Sequence, residues 1–202
     1  MRLTKKMLAS FFSIAILFSF VSITHAEVLE VLVDNGASSS AALTTKCSPV
    51  EDFSEEFQTK IQNIKETFLS LPNGAGLAAT QVGYTDRFFV ISQEAEGELI
   101  YEEKKLKRKL DQPLVFINPR IIETSGKQIG WESCFSLPGY IYKTERPLNI
   151  TIEASDENDN KFTFKTTGFW AKCICHENDH LDGILCKAET RALDARKAPE
   201  DE

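Results

Sequence analysis

The sequence has no excess of positive charge with which to bind a polyanion. It contains 23 lysines and arginines against 30 aspartates and glutamates, for a formal net charge of −7. Because nucleic-acid-binding proteins carry a basic surface, we expect no nucleic-acid partner. The chain also has no internal repeat, and its 202 residues with 42% hydrophobic content fit one globular domain with a real core.

Long hydrophobic runs are lacking except near the N-terminus. Three basic residues in the first six precede an apolar or small stretch at 7–23, and Thr24, His25 and Ala26 resemble a signal-peptidase site. We expect residues 1–26 to be a cleaved signal peptide, with an uncleaved anchor as the alternative. The protein would then be exported, periplasmic or secreted, with no membrane association after cleavage. If the signal is not genuine, the location is cytoplasmic.

Cysteines are few and odd in number, at Cys47, Cys134, Cys173, Cys175 and Cys186. If one of them binds a metal, four remain, and export would permit up to two disulfides. Buried free thiols are the alternative. The sequence leaves the pairing and the oligomeric state open.

The pattern of the remaining chain predicts an α+β fold. Apolar residues recur at helical spacing between Phe53 and Leu71, beginning near Asp52 or Ser54. A second helix is predicted over 169–182, with Gly183 as its stop. Between the helices, short strands are predicted at 87–92, 113–118, 121–124, 128–131, 148–153 and 161–165. This order does not repeat βαβ units, so we expect antiparallel strands packed around a central C-terminal helix.

Histidine is scarce, and its placement is informative. After residue 26 only His176 and His180 remain, in an H-E-x-x-H motif. On a helix these residues lie on one face, where two imidazoles can bind one metal ion, and Glu177 can act as general base. Two surface histidines on a polar helix are the alternative.

A catalytic metal site of this kind needs a third protein ligand. Cys186 stands where metzincin proteases have their third histidine, but that class of H-E-x-x-H metalloprotease needs a later methionine, and none follows Met7. Cys134 is the other candidate, within the segment E-S-C-F-S at 132–136.

Three segments together resemble the motifs of the peptide deformylase family. They are G-A-G-L-A-A-T-Q at 74–81, E-S-C-F-S at 132–136 and C-H-E-N-D-H-L-D-G at 175–183. The resemblance covers 43–186, which we expect to be the catalytic domain. The flanking regions are an irregular, flexible segment at 27–42 and a charged tail at 187–202.

The resemblance implies a metal-dependent hydrolase that removes the N-terminal formyl group from N-formylmethionyl peptides. The implied metal ligands are Cys134, His176 and His180. One divalent ion is expected per chain, Fe²⁺ natively, with Zn²⁺ or Ni²⁺ possible. Glu177 would be the general base, and the Gln81 side chain and the Phe135 backbone N–H would bind the oxyanion. The implied substrate-binding residues are Gly74, Ala75, Gly76, Gly130, Glu132, Lys172 and Cys173.

Several positions depart from the family pattern. Ser133 replaces a glycine, Phe135 a leucine and Cys175 a glutamine. Lys172 stands where the family has an apolar pocket residue, which suggests a pocket that does not prefer methionine; a lysine extending to solvent is the alternative. A metal-bearing protein that binds formyl-peptides with little or no turnover also stays open, although such a binder needs neither Glu177 nor Gln81.

Overall fold

The computed structural model describes residues 26–36, 39–101, 104–106, 112–187 and 189–199. Among them are two α-helices, α1 (Glu55–Ser70) and α2 (Gly168–Leu181), and ten strands. The strands are β1 (Gly76–Ala78), β2 (Phe88–Ile91), β3 (Glu98–Tyr101), β4 (Lys104–Leu106), β5 (Leu114–Ser125), β6 (Gln128–Glu132), β7 (Tyr140–Arg146), β8 (Asn149–Ser155), β9 (Lys161–Thr167) and β10 (Asp194–Lys197).

The strands form two antiparallel sheets. Seven strands are ordered β1-β2-β5-β8-β9-β3-β4, and three are ordered β10-β7-β6. Helix α2 contacts β1, β2, β8 and β9 of the larger sheet and β7 of the smaller one. The predicted α+β class with antiparallel strands is confirmed, and α2 lies against both sheets.

The main core lies between the larger sheet and the two helices. Its largest fully buried side chains include Phe88, Phe89, Phe116 and Phe164. Helix α1 contributes Phe57, Ile61, Ile64 and Phe68, the apolar stripe that the sequence predicted. Burial of this stripe, at about 25 cal/mol per Å² of apolar surface, is the main force that holds α1 on the sheet.

The strand prediction was wrong in one place and incomplete in others. The strands predicted at 113–118 and 121–124 are one strand, β5, because its pairing with β8 continues across two irregularities in register, one between Ile117 and Arg120 and one between Ile121 and Glu123. Asn118 takes a left-handed φ of 51°, which bends β5 without ending it. β1, β3, β4, β7 and β10 were not predicted.

The predicted end of α2 is confirmed. Gly183 has a φ of 73°, and a Cβ there would lie 2.5 Å from the backbone oxygen of Thr44. Only glycine therefore fits this turn without strain. The turn seats the C-terminal end of α2, where His180 lies, against the segment before α1.

The segments outside 43–186 also contact the domain. Residues 27–36 form neither helix nor strand, but the backbone N–H of Leu32 donates to the Gln81 carbonyl at 2.7 Å and that of Asp34 to the Ser136 carbonyl at 2.8 Å. The charged tail contains β10, which pairs with β7. Residues 1–25, which carry nearly all of the predicted signal peptide, lie outside the described residues. Within the described part of the chain, no helix has the length and apolar character needed to cross a membrane.

Candidate metal centre and active site

Helix α2 brings the two histidines together. His176 and His180 are one turn apart, with ring centroids separated by 4.9 Å and Nε2 atoms by 3.2 Å. Both side chains are buried. The i, i+4 spacing therefore places two imidazole nitrogens at one point in the interior.

Cys134 reaches the same point from the loop that follows β6. Its Sγ lies 3.3 Å from His180 Nε2, and the ligand atoms of Cys134, His176 and His180 all lie within 4.8 Å of one another. The backbone N–H of Leu137 donates to the Cys134 carbonyl at 2.9 Å, which folds the loop back on itself. One thiol and two imidazoles converging at these distances fit a tetrahedral metal ion with an open fourth position.

Glu132 determines the orientation of His176. Its carboxylate faces His176 Nδ1 at 2.9 Å, and hydrogen bonds from His176 and Arg146, acting against burial, hold the pKa of Glu132 well below its usual range. An ionised carboxylate keeps a proton on Nδ1, so that Nε2 is the atom left to face Cys134 and His180. This geometry supports metal binding through Nε2.

Glu132 belongs to a buried network of charges. Its carboxylate accepts hydrogen bonds from Arg146 Nε at 2.8 Å and Nη2 at 3.0 Å, and Arg146 also pairs with Asp179. Asp179 in turn accepts from Arg191 at 2.8 Å. Glu132 lines the cavity as predicted for a substrate contact, but both of its oxygens are already hydrogen-bonded.

The sequence analysis missed Arg146, Asp179 and Arg191 as members of the site. Asp179 lies inside the H-E-x-x-H motif, where position alone could have drawn attention to it. Arg146 and Arg191 have no local signal, because their partners lie 14 and 12 residues away along the chain.

Glu177 is placed to exchange protons at this centre. The side chain is buried, its Oε2 has no hydrogen-bond partner within the described part of the chain, and burial raises its pKa to about 7. Gly76 faces its other oxygen, since a Cβ at Gly76 would lie 2.7 Å from Oε1. A buried carboxylate without a partner is costly in an inert site, so its position points to a reacting molecule.

Gln81 points its amide nitrogen at the centre. Nε2 donates to Ser136 Oγ at 3.2 Å and lies 3.7 Å from Cys134 Sγ, while Oε1 accepts from the Ala78 backbone N–H at 2.9 Å. The Ala78 bond fixes which end of the amide faces the site. No described residue accepts a hydrogen bond from the Phe135 backbone N–H.

A cavity of about 560 Å³ opens beside these groups. The predicted residues that line it are Gly74, Ala75, Gly76, Gln81, Glu132, Cys134, Phe135, Lys172, Cys173, His176 and Glu177. Gly130 does not line it, although a Cβ at this position would lie 3.4 Å from Lys172 Nζ. His180 is buried and does not line the cavity.

Cys134 and Cys186, the two candidates for the third metal ligand in the sequence analysis, lie side by side. All five cysteines are free thiols, and Cys186 lies with Cys134 in one buried cluster. The proximity of Cys134 lowers the pKa of Cys186 to about 5, and the proximity of Cys186 together with burial raises the pKa of Cys134. The pair therefore shares one negative charge, which a cation bound to Cys134 would draw onto that sulfur.

Known proteins match this chain in sequence and in fold. The sequence profile of the polypeptide deformylase family matches residues 32–196. Peptide deformylase 2 of Clostridium acetobutylicum is 38% identical over 143 residues, which are 71% of this chain and 85% of that protein. A peptide deformylase of Roseiflexus castenholzii is 35% identical over 162 residues, covering 79% of this chain and 87% of that protein.

The same family appears among solved structures. The crystal structure of a peptide deformylase from Ehrlichia chaffeensis is similar with a TM-score of 0.65 and 31% identity, covering 79% of this chain and 86% of that one. The profile match extends beyond the expected 43–186 at both ends, into segments that contact the domain. The chain thus belongs to the polypeptide deformylase family.

Proposed function

We propose that this protein is a metal-dependent hydrolase that removes the formyl group from the N-terminus of formyl-peptides. The observation that carries the proposal is the convergence of Cys134, His176 and His180 beside a buried Glu177 that has an unpartnered oxygen. A pure binding protein would not need a proton acceptor at this position. Family membership supports the same reaction.

The donor set fits one divalent ion. One sulfur and two imidazole nitrogens suit Fe²⁺, Zn²⁺ or Ni²⁺, and we propose Fe²⁺ as the native ion on the family resemblance. When bound, such an ion supplies Lewis acidity that polarises the formyl carbonyl and makes water a better nucleophile.

Glu177 performs the proton transfers in this proposal. Its carboxylate takes a proton from the attacking water, whose oxygen forms a bond to the formyl carbon. As the carbon–nitrogen bond breaks, Glu177 returns that proton to the leaving amine. The products are formate and a peptide with a free N-terminus, so atoms and charges balance.

In this proposal, two hydrogen-bond donors stabilise the negative charge that develops on the formyl oxygen. The Gln81 amide is held in place by its bond to Ala78, and the Phe135 N–H has no other acceptor within the described part of the chain. Donors already in position stabilise the oxyanion without reorganising.

Two edge strands of the protein are available to bind the peptide substrate. β1 is the outer strand of the larger sheet, β6 is the outer strand of the smaller one, and residues of both line the cavity. An extended peptide can add to such an edge through backbone hydrogen bonds. Gly74 lets the loop before β1 pack closely on α1, because a Cβ there would lie 2.9 Å from the Phe68 ring.

One experiment distinguishes the proposed hydrolysis from the alternative, a formyl-peptide-binding protein with little turnover. The purified protein is loaded anaerobically with Fe²⁺ and given formyl-Met-Ala-Ser, and formate release is measured. We expect turnover, with a loss of about 10²–10⁴-fold in Glu177→Ala. Glu66→Ala, which removes an exposed carboxylate from α1, should match the unchanged protein.

Peptide binding with one ion per chain but without formate release would contradict the enzymatic proposal and favour the binder. Equal turnover in Glu177→Ala would contradict the role of Glu177.

We also propose export of the protein. The basic start, the apolar stretch at 7–23 and the Thr24-His25-Ala26 site support it. The mass of the protein recovered from each cell fraction decides it: a chain that begins at Glu27 outside the cytoplasm is expected, and an intact chain in the cytosol would refute it.

A further inference from the structure

Lys172 places a positive charge in the cavity next to the metal centre. It lies one helical turn before His176 on α2, is half-buried and lines the cavity. Residues i and i+4 on a helix are about 5–6 Å apart at Cβ. The ammonium is therefore within one side-chain length of a substrate held at His176 and Glu177.

The Lys172 side chain is held in place by contacts at its ammonium group. Its Nζ donates to the backbone carbonyl of Trp131 on β6 at 2.7 Å and lies 5.6 Å from the centre of the Phe169 ring. Gly130 on β6 lies beside this ammonium, since a Cβ at that position would be in contact with Nζ at 3.4 Å.

Among the described residues, no anionic group pairs with this positive charge. Across the described ranges, no carboxylate lies within 4.0 Å of Lys172 Nζ, and Glu132, which lines the same cavity, is paired with Arg146. An ammonium group has three donors, and one is used by Trp131. Two aromatic residues of the cavity wall, Trp131 and Phe169, lie next to this ammonium. Such a group favours a ligand that brings an oxygen acceptor.

We propose that Lys172 makes the enzyme selective for formyl-peptides whose first side chain ends in an oxygen acceptor. This inference rests on the proposed function and specifies its substrate class. Two sources supply such an oxygen at about the length of methionine: a glutamate side chain, and the sulfoxide formed when an N-terminal formylmethionine is oxidised. A purely apolar side chain leaves the ammonium donors unpaired, and polar sites reject ligands of that kind.

The test compares four substrates, formyl-X-Ala-Ser with X as glutamate, methionine sulfoxide, methionine or norleucine. Their kcat/KM values are measured on the metal-loaded protein and on Lys172→Met. We expect the preference for the better acceptor substrate over norleucine to fall on the order of tenfold or more in Lys172→Met. Lys165→Met, the same charge change on the exposed side of β9, should leave all ratios unchanged.

Lys172→Gln separates charge from hydrogen bonding. It keeps amide donors but no charge, so a sulfoxide preference should survive while a glutamate preference is lost. It also serves as the test if Lys172→Met does not fold. Ratios that are the same in wild type, Lys172→Met and Lys172→Gln would overturn the proposal.

Binding measurements keep this inference distinct from the proposed reaction. The affinities of N-acetyl-Glu-Ala-Ser and N-acetyl-norleucine-Ala-Ser for the zinc-loaded protein are compared by calorimetry. A preference for the glutamate peptide that Lys172→Met abolishes supports the pocket, even if no formyl-peptide is hydrolysed and the proposed reaction fails. Turnover of the four formyl-peptides in ratios that do not depend on Lys172 leaves the reaction standing and refutes the pocket.

Discussion

Gly76 offers the sharpest test of the active-site geometry, because its missing side chain is the space that Glu177 occupies. A Cβ at Gly76 would lie 2.7 Å from Glu177 Oε1, 2.8 Å from Glu177 Cγ and 2.8 Å from Ile91 Cδ1. Ordinary non-bonded contacts lie near 3.5–4.0 Å, so Gly76→Ala must displace Glu177 by roughly 0.8 Å. Both side chains are buried and have little room to move.

The size of the effect follows from that displacement. A misplacement of about 1 Å at a reacting group can cost 10²-fold, so we expect kcat to fall by tens of fold to about 10²-fold. Overpacking against Ile91 should also lower the free energy of unfolding by about 1–3 kcal/mol. The double variant Gly76→Ala/Ile91→Val removes the Cδ1 contact but not the contact with Glu177. It should regain stability while kcat stays low.

The assay measures formate release at saturating formyl-Met-Ala-Ser, with unfolding by urea for stability. Metal content is measured for each variant, so that loss of the ion is not mistaken for loss of Glu177 placement. The reasoning is refuted if Gly76→Ala keeps kcat within about twofold of wild type, or if Ile91→Val restores kcat together with stability.

Two further predictions concern the groups around the metal ligands. Glu132→Gln should weaken metal binding by about 10–100-fold, because it removes the charge that orients His176. It should also lower the free energy of unfolding by about 3 kcal/mol, because Arg146 loses one buried partner. Chelator competition measures the first effect, and urea unfolding measures the second. The folded-state pKa of Glu132 is depressed, so ionised Glu132 stabilises the folded protein at pH values above its ordinary pKa of about 4.5, and this stabilisation is lost as the pH falls through the folded-state pKa. Wild type should therefore lose more of its free energy of unfolding than Glu132→Gln between pH 7 and pH 3.5. Equal losses would contradict this. Because Cys134 and Cys186 are neighbouring free thiols in one buried cluster, diamide should oxidise metal-free protein with loss of two of the five thiols and reduction of the diamide to its hydrazine. Bound zinc or Cys186→Ser should prevent this pairing, and unchanged thiol loss in Cys186→Ser would refute it.

The chemistry of the site was predictable because much of it is local in the chain. His176, Glu177 and His180 lie within one helical turn, and a helix fixes their relative positions whatever surrounds it. Gly183 ends that helix for an equally local reason, its left-handed backbone. Cys134 and Gln81 are distant in sequence, and they were assigned through the family motifs rather than through spacing.

The ion network was not predictable, because its members come from separate elements. Glu132 was expected to contact substrate, yet its two oxygens are held by His176, Arg146 and Thr144. Arg146 is the last residue of β7, a strand that the hydrophobic pattern of the sequence did not predict, and Asp179 lies on α2. Which charges meet in a buried site depends on how sheets and helices pack.

The sequence by itself determined the two helices, the α+β class, and the placement of His176, His180 and Glu177 together on α2, for which we propose the roles of metal ligands and general base. Tertiary structure alone decided that Cys186 lies beside Cys134, that the tail adds β10 to the smaller sheet, and that Lys172 meets Trp131 across the cavity next to Gly130. The physical reason is the distance along the chain between the residues that interact. Helical periodicity and turn conformations are set by neighbouring residues, whereas contacts between strands, loops and helices exist only once the core has brought distant segments together.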